Sequence, residues 1–364
     1  MWRFDLKVLA VTVGTSFKTN LEREGKRDLL SLLQNREFDK LYHCLKGLEP
    51  SEKILGAEIN SIQSLLEQKY IKELQKVYLL VSDTSDGEII GKFLERYIEK
   101  KWKSEVEILK IEGLTDADPD TFRRKGLVEL VKKLAFIKRK ETGSWGINAT
   151  GGYKAQVSYA SAFGQVHKVP VFYMHERFGY IIDLPSPPVT IDLEIIHKYR
   201  EAIALLAAKK ELEKEKIVKK TGKLDDIHSL IDEVEGKIWL SALGYIYWEA
   251  YKRNDNYYEK SKIRPPGYDG EIEEVGIEGH HRPRGFKEFI RKLEKTKYIK
   301  KIEVKRLQKG TETKIHKDRY SDELPEKIKI NYSDGEIGIE LILTTTCEHL
   351  LHKRFLQDEL EKII

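Results

Sequence analysis

Asn148, Thr150, Gly151, Gly152 and Lys154 fall within one short run, Gly146-Ile-Asn-Ala-Thr-Gly-Gly-Tyr-Lys-Ala-Gln156. These residue types suit the binding of a phosphate. Two adjacent glycines let main-chain N–H groups approach a ligand closely, and Lys154 adds a mobile full charge. A helix beginning just after them would also aim its positive end at an anion. A second run, Val13-Gly14-Thr15-Ser16, has a similar make-up, a glycine followed by two hydroxyls. A third, Asp83-Thr-Ser-Asp-Gly87, offers Thr84, although an ordinary helix N-cap accounts for it equally well. Donors of this kind could hold a phosphodiester and stabilise charge that grows on it, without a metal.

Such loops must be held at the ends of neighbouring strands. From residue 5 to 183 the pattern alternates accordingly. Apolar β-type runs at 6–13, 77–82, 105–111, 144–148 and 169–174 are separated by helical patterns at about 21–45, 51–69, 87–101, 120–139 and 153–166. That alternation predicts an α/β domain: a Rossmann-like parallel sheet with helices on both faces, and ligands outside the carboxyl ends of its strands. A terminal hairpin is expected to turn near Arg177–Gly179, and Pro185-Ser-Pro-Pro188 closes the domain.

Residues 189–282 are expected to be a helical linker or dimerisation region. In it, 209–223 is a charge run that reads as a linker or a short β-ribbon, and Ile227 to Arg253 reads as helix. Residues 254–283 read as a long loop with room for a short strand. The last stretch, 283–364, predicts a small α+β module: a helix at 285–298, strands at 300–307, 312–319, 326–332 and 336–344, and a closing helix at 347–363. Tyr332-Ser-Asp-Gly335 marks a hairpin, since Asp-Gly readily adopts the φ > 0 conformations of tight turns.

Composition sets outer limits. The 364 residues suffice for two domains, with 40% hydrophobic and 34% charged content. No apolar run approaches the ~18–20 residues that span a bilayer, so no membrane association is expected. Two cysteines, Cys44 and Cys347, cannot make a disulfide framework, which fits a reducing cytoplasm. The net charge of +5 is unevenly placed: residues 283–319 hold fourteen Lys/Arg against five Asp/Glu. Nucleic-acid contact is one reading of that excess, and a solvated helix with lysine-protected strand edges is the other.

The Gly14-Thr15-Ser16 and Asn148-Ala-Thr-Gly-Gly-Tyr-Lys154 pair, in that order on strand ends, resembles the CARF domain. CARF domains are the CRISPR-associated Rossmann-like sensors of cyclic oligoadenylate. The resemblance covers residues 1–188 and implies a homodimer whose two-fold axis matches that of the ring. It also implies that cyclic oligoadenylate, cyclic tetra-adenylate first, is the allosteric activator, with no other cofactor. Ligand contacts are then expected from Gly14, Thr15, Ser16, Thr84, Asn148, Thr150, Gly151, Gly152 and Lys154. In ring nucleases of that family, the equivalents of Ser16 and Lys154 also help cleave the ring.

CARF domains usually control an effector. The Arg-x4-His motif of HEPN ribonucleases does not occur in this chain. Residues 283–364 instead resemble RelE-type mRNA interferases in element order, in the Asp-Gly hairpin and in the basic run Thr313-Lys-Ile-His-Lys-Asp-Arg319. That resemblance implies a metal-independent endoribonuclease acting on mRNA at the ribosome through the substrate's own 2′-OH. Lys314, His316, Lys317, Arg319, Lys329 and His349 are its candidate catalytic residues, with His352 and Arg354 beside them. No metal is expected, because His349 and His352, three residues apart, lack an evident third ligand. Two alternatives stay open: a ring nuclease whose second half only supports the dimer, and a nucleic-acid-binding regulator without effector cleavage.

Overall fold

The computed structural model describes residues 5–175, 179–185, 191–209, 211–254, 263–278, 282–309, 312–316 and 323–363. The chain divides into two compact units: one of residues 1–191 with 241–247, and one of residues 192–240 with 248–364.

Six strands form the sheet of the first unit: β1 (Leu6–Thr12), β2 (Ile71–Ser82), β3 (Glu105–Ile111), β4 (Trp145–Asn148), β5 (Val171–Tyr173) and β6 (Ile182–Leu184). Their order is β3-β2-β1-β4-β5-β6. The first five are parallel and β6 returns antiparallel along β5. β4 is buried at every position, as expected of a strand covered on both faces. The protein is thus mixed α/β with a parallel sheet, as the alternating pattern indicates.

The helices are α1 (Ser16–Arg23), α2 (Arg27–Gln34), α3 (Phe38–Leu45), α4 (Ala57–Glu67), α5 (Ser85–Trp102), α6 (Leu127–Lys140) and α7 (Lys154–His167). The periodicity over 21–45 predicts one helix, whereas three short ones are present. Gly25 at φ +64° and Arg36 at φ +59° divide them, because a helix cannot continue through a left-handed residue. Leu9, Val11, Phe17, Leu79, Phe93 and Tyr97 are among the buried residues of the core, and the Phe17 and Phe93 rings stack 4.2 Å apart.

The second unit contains two sheets. In the first, β7 (Leu212–Glu213), β8 (Ile231–Val234) and β9 (Lys237–Leu240) run antiparallel in the order β7-β9-β8. The expectation of continuous helix from Ile227 to Arg253 is corrected here, since residues 231–240 form a β-hairpin. Glu235 (φ +51°) and Gly236 (φ +75°) make its two-residue turn, the arrangement whose twist matches that of the flanking strands. Trp239 lies three and four residues before Ala242 and Leu243 and so extends a helical stripe, but the Glu-Gly turn decides for strands. The charge run 209–223 holds the short β7 and then a helix, α10 (Lys214–Thr221), preceded by α8 (Glu194–Lys198) and α9 (Arg200–Lys209).

The second sheet consists of β10 (Glu273–Val275), β11 (Ile299–Lys309), β12 (Lys314–Ile315), β13 (Lys327–Ser333) and β14 (Ile337–Thr345), in the order β10-β11-β14-β13-β12. Between β9 and β10 lies α11 (Ala242–Lys252); α12 (Phe286–Glu294) precedes β11, and α13 (Leu350–Glu361) ends the chain. The expected order of a helix, four strands and a closing helix is therefore present, but the expected meander is corrected: β11 pairs with β14, not with β12, which lies at the opposite edge of the sheet. Of the expected strand 312–319, residues 314 and 315 pair with β13, while Lys317 and Arg319 lie outside the described residues.

The β13–β14 hairpin is set by Asp334. Its carboxylate accepts the main-chain N–H groups of Arg284 (2.7 Å), Ile337 (2.9 Å) and Glu336 (3.0 Å), and Gly335 takes φ +93°. Those N–H donors, Ile337 foremost, lower the Asp334 pKa from 3.8 to about 2. Because the folded value is the lower one, this contribution to stability is present above pH 3.8 and is lost as pH falls through about 2. Asp334→Asn is therefore expected to flatten the acid limb of unfolding followed by circular dichroism. An unchanged limb would remove the hairpin carboxylate from acid stability.

Candidate functional site

β1 lies between β2 and β4 and is parallel to both. The chain leaves β1 toward β2 and β3, and later crosses to β4 and β5 on the other side. This is a topological switch point, where loops at the carboxyl ends of neighbouring strands part and leave a crevice. The loops at this one are Val13–Ser16 after β1 and Ala149–Tyr153 after β4. The sequence brings them together as expected.

They touch through their glycines. A side chain on Gly14 would come within 2.5 Å of the Gly152 nitrogen. One on Gly151 would come within 2.0 Å of Glu58 Oε1 and 2.6 Å of the Thr12 carbonyl oxygen. Gly152 has φ +89°, and a side chain there would meet Gln156 Oε1 at 2.0 Å. These glycines therefore let two loops and one carboxyl pack together, a reason beyond access for a ligand.

That carboxyl belongs to Glu58 in the first turn of α4, a residue that the motifs do not single out. It is fully buried. Gly14 N–H donates to Oε1 (2.7 Å) and the Ser16 hydroxyl donates to Oε2 (3.1 Å). Burial pushes its pKa above the ordinary carboxylate range, and the Gly14 N–H and Ser16 hydroxyl oppose that shift. The signal for it in the sequence is Gly56-Ala-Glu58, a helix start with an acid in its first turn; Gly56 sits at φ +89° before α4.

The remaining expected ligand residues divide into two groups. Asn148 is wholly buried: its amide donates to Ser61 Oγ (2.7 Å) and its carbonyl accepts from the Thr150 hydroxyl (2.6 Å). Thr150 Oγ1 in turn accepts the Met174 N–H (3.1 Å). Ser16 Oγ also accepts the Ala57 N–H (2.9 Å). Thr84 caps α5 by accepting the Gly87 N–H (3.1 Å). These side chains shape the loops from within. Thr15, Gly152 and Lys154 are exposed, and Lys154 makes no ion pair among the described residues. Gln156 N–H donates to the Tyr153 carbonyl (2.9 Å), whereas the N–H groups of Lys154 and Ala155, at the very start of α7, have no earlier helical carbonyl to bond, so this surface can take an anion.

In the second unit, register settles which candidates share a face. Ile328, Ile330, Ile339 and Leu341 belong to the core, so Lys329, Asn331 and Glu340 point to the other face, with Lys314 opposite Asn331. On that face Glu340 accepts from Lys329 (2.6 Å) and Arg306 (3.2 Å), and Lys329 chiefly holds its pKa below the usual carboxylate value. His316 is exposed at the end of β12, its main-chain N–H donating to the Lys329 carbonyl (3.0 Å). Arg306 is a cation that the candidate set lacks; its place opposite Glu340 follows a register shift in β11 that a strict alternation would not reveal.

His349 does not join that face. It is fully buried and caps α13, its Nδ1 accepting the His352 N–H at 3.4 Å. His352 and Arg354 are buried as well. The expectation that His349 and His352 lack a third ligand is corrected, because Glu201 of α9 brings a carboxylate oxygen within 4.8 Å of their ring nitrogens. The donor set nevertheless fits a cation poorly. Both Nδ1 atoms accept main-chain N–H groups, from His352 and Glu348, which puts the ring protons of the neutral imidazoles on Nε2. A divalent ion would also sit at the positive end of α13.

Among the described residues, no helix is long and apolar enough to cross a membrane. The family described as CRISPR-associated protein (Cas_APE2256) matches residues 53–187, which include Glu58 and the β4–α7 loop but not the β1 loop. The chain is also similar to recombination protein RecR of Lactococcus lactis subsp. cremoris (strain MG1363), 35% identical over 82 residues, 22% of this chain and 41% of that one. RecR of Enterococcus faecalis (strain ATCC 700802 / V583) is 30% identical over 76 residues, 21% of this chain and 38% of that one. The matched stretch thus spans about two fifths of these relatives. Protein VC1899 from Vibrio cholerae has a solved structure that aligns over 94% of this chain and 77% of its own, at 8% identity and a TM-score of 0.28, too low to speak for a shared fold. Residues 53–187 are thus similar to a CRISPR-associated protein family.

Proposed function

We propose that the first unit binds a cyclic oligoadenylate, with cyclic tetra-adenylate as the first candidate, across the β1 and β4 loops of a homodimer. Binding would switch a metal-independent, RelE-like ribonuclease in the second unit that acts on mRNA at the ribosome. The observation that carries the reading is the meeting of Gly14 and Gly152 at the switch point, with Lys154 and the start of α7 exposed beside them. The CRISPR-associated match over residues 53–187 supports the same ligand class.

For the ribonuclease step, the substrate's 2′-OH gives up its proton to solvent and attacks the adjacent phosphorus as the bond to the leaving 5′ oxygen breaks, giving a 2′,3′-cyclic phosphate. Lys314, Lys329 and Arg306 stand on one sheet face, where cations can stabilise the charge of the transition state. His316, beside them, is the candidate that protonates the leaving oxygen. Purified protein is expected to cleave free RNA in EDTA only when cyclic tetra-adenylate is added, and, in a separate assay that keeps magnesium, to cleave mRNA more efficiently on ribosomes. Lys314→Ala combined with Lys329→Ala is expected to lower the cleavage rate by roughly a hundredfold or more. Products ending in 5′-phosphate and 3′-OH, or cleavage restored only by a divalent ion, would exclude this chemistry.

A further inference from the structure

We propose that Glu58 is the positioning residue of the anion site and takes up a proton when a phosphate-bearing ligand settles on the two loops. The inference rests on the cyclic oligoadenylate reading. Its basis is geometric. Glu58 touches the β1 loop through the Gly14 N–H and the Ser16 hydroxyl, and it lies so close to Gly151 that no side chain fits between them. The next residue, Gly152, is exposed. About one peptide unit therefore separates a buried carboxyl from the surface offered to phosphates.

An ionised carboxylate in that position opposes an arriving anion across a poorly screening interior. Protonation removes the opposition and preserves the hydrogen bonds. Oε1 still accepts the Gly14 N–H, and a proton on Oε2 is donated to Ser16 Oγ, so that bond only reverses its direction. Charged side chains on the surrounding elements include Lys18 of α1, paired with Asp86, Glu22 and Arg23 further along α1, and Lys154 of α7; His175 follows β5. None of them is among the groups that shift the Glu58 titration. Burial already favours the neutral carboxyl, so a ligand's phosphates need only push in the same direction.

Glu58→Gln reproduces the protonated geometry permanently, with its amide donating to Ser16 Oγ. Calorimetry with cyclic tetra-adenylate and the full chain, in buffers of different ionisation enthalpy, counts the protons exchanged. Above pH 4.5, the ordinary value from which burial raises Glu58, the wild-type chain is expected to take up protons on binding, at most one per subunit, and its affinity should weaken with rising pH by at most about tenfold per unit. Glu58→Gln should bind with no such uptake and keep its affinity at the alkaline end. Wild-type binding with heats independent of the buffer, or an uptake that persists in Glu58→Gln, overturns the inference and leaves the ligand reading intact. If the ring does not bind at any pH, both fall.

Discussion

Lys154→Ala is expected to weaken binding of cyclic tetra-adenylate by roughly ten- to a hundredfold per subunit, while the protein melts as before. A charge-assisted hydrogen bond to phosphate contributes about 1.5–3 kcal/mol, and a two-fold dimer would forgo it twice. Lys154 is the candidate for which binding and folding separate most cleanly. It is exposed in the first turn of α7 and makes no ion pair among the described residues, so its removal costs the fold little. Ser16 and Asn148 offer no such separation, because both hold the loops together from inside. Isothermal calorimetry with thermal unfolding on the same samples decides the matter. Unchanged affinity would take Lys154 out of the site and remove the cation on which the anion reading depends.

The difference between Lys154 and Asn148 also shows what the sequence can and cannot convey. Strand–helix alternation announces the parallel sheet, and the order of the two glycine runs places them on strand ends, because those are local patterns. Whether a polar side chain faces a ligand or the interior of its own loop is a tertiary fact. Asn148, Thr150 and Ser16 read as ligand donors from their types, yet their partners are Ser61, Met174 and Glu58, all far along the chain. Glu58 is hard to single out for the same reason: a glutamate in the first turn of a helix is ordinary until two distant loops close over it. In the second unit, the Glu235-Gly236 turn is a legible hairpin signal, but the apolar stripe around it also satisfies a helical period. His349 reads as available because its burial depends on a helix cap and on packing that no window of sequence contains.

Gly151→Ala is expected to damage both the fold and the site. The added carbon would lie 2.0 Å from Glu58 Oε1 and 2.6 Å from the Thr12 carbonyl oxygen, far inside van der Waals distance. Neither neighbour can retreat easily. Thr12 ends β1 in the middle of the sheet, and Glu58 is buried with both oxygens bonded. Overpacking of this kind costs about 1–3 kcal/mol, and the loop shift that relieves it moves the Gly152 and Lys154 amides from their places. Melting temperature and ligand affinity are therefore expected to fall together, unlike in Lys154→Ala. Gly143→Ala is the control, since nothing lies within 4 Å of its added carbon and no loss is expected. A double-mutant cycle identifies the cause. In a Glu58→Ala background the nearest obstacle is gone, so Gly151→Ala should cost measurably less there, with the Thr12 carbonyl as the remaining obstacle. Equal costs in the two backgrounds would mean that the carboxyl does not clamp the loops, and the proton-linked role of Glu58 would lose its geometric basis with it.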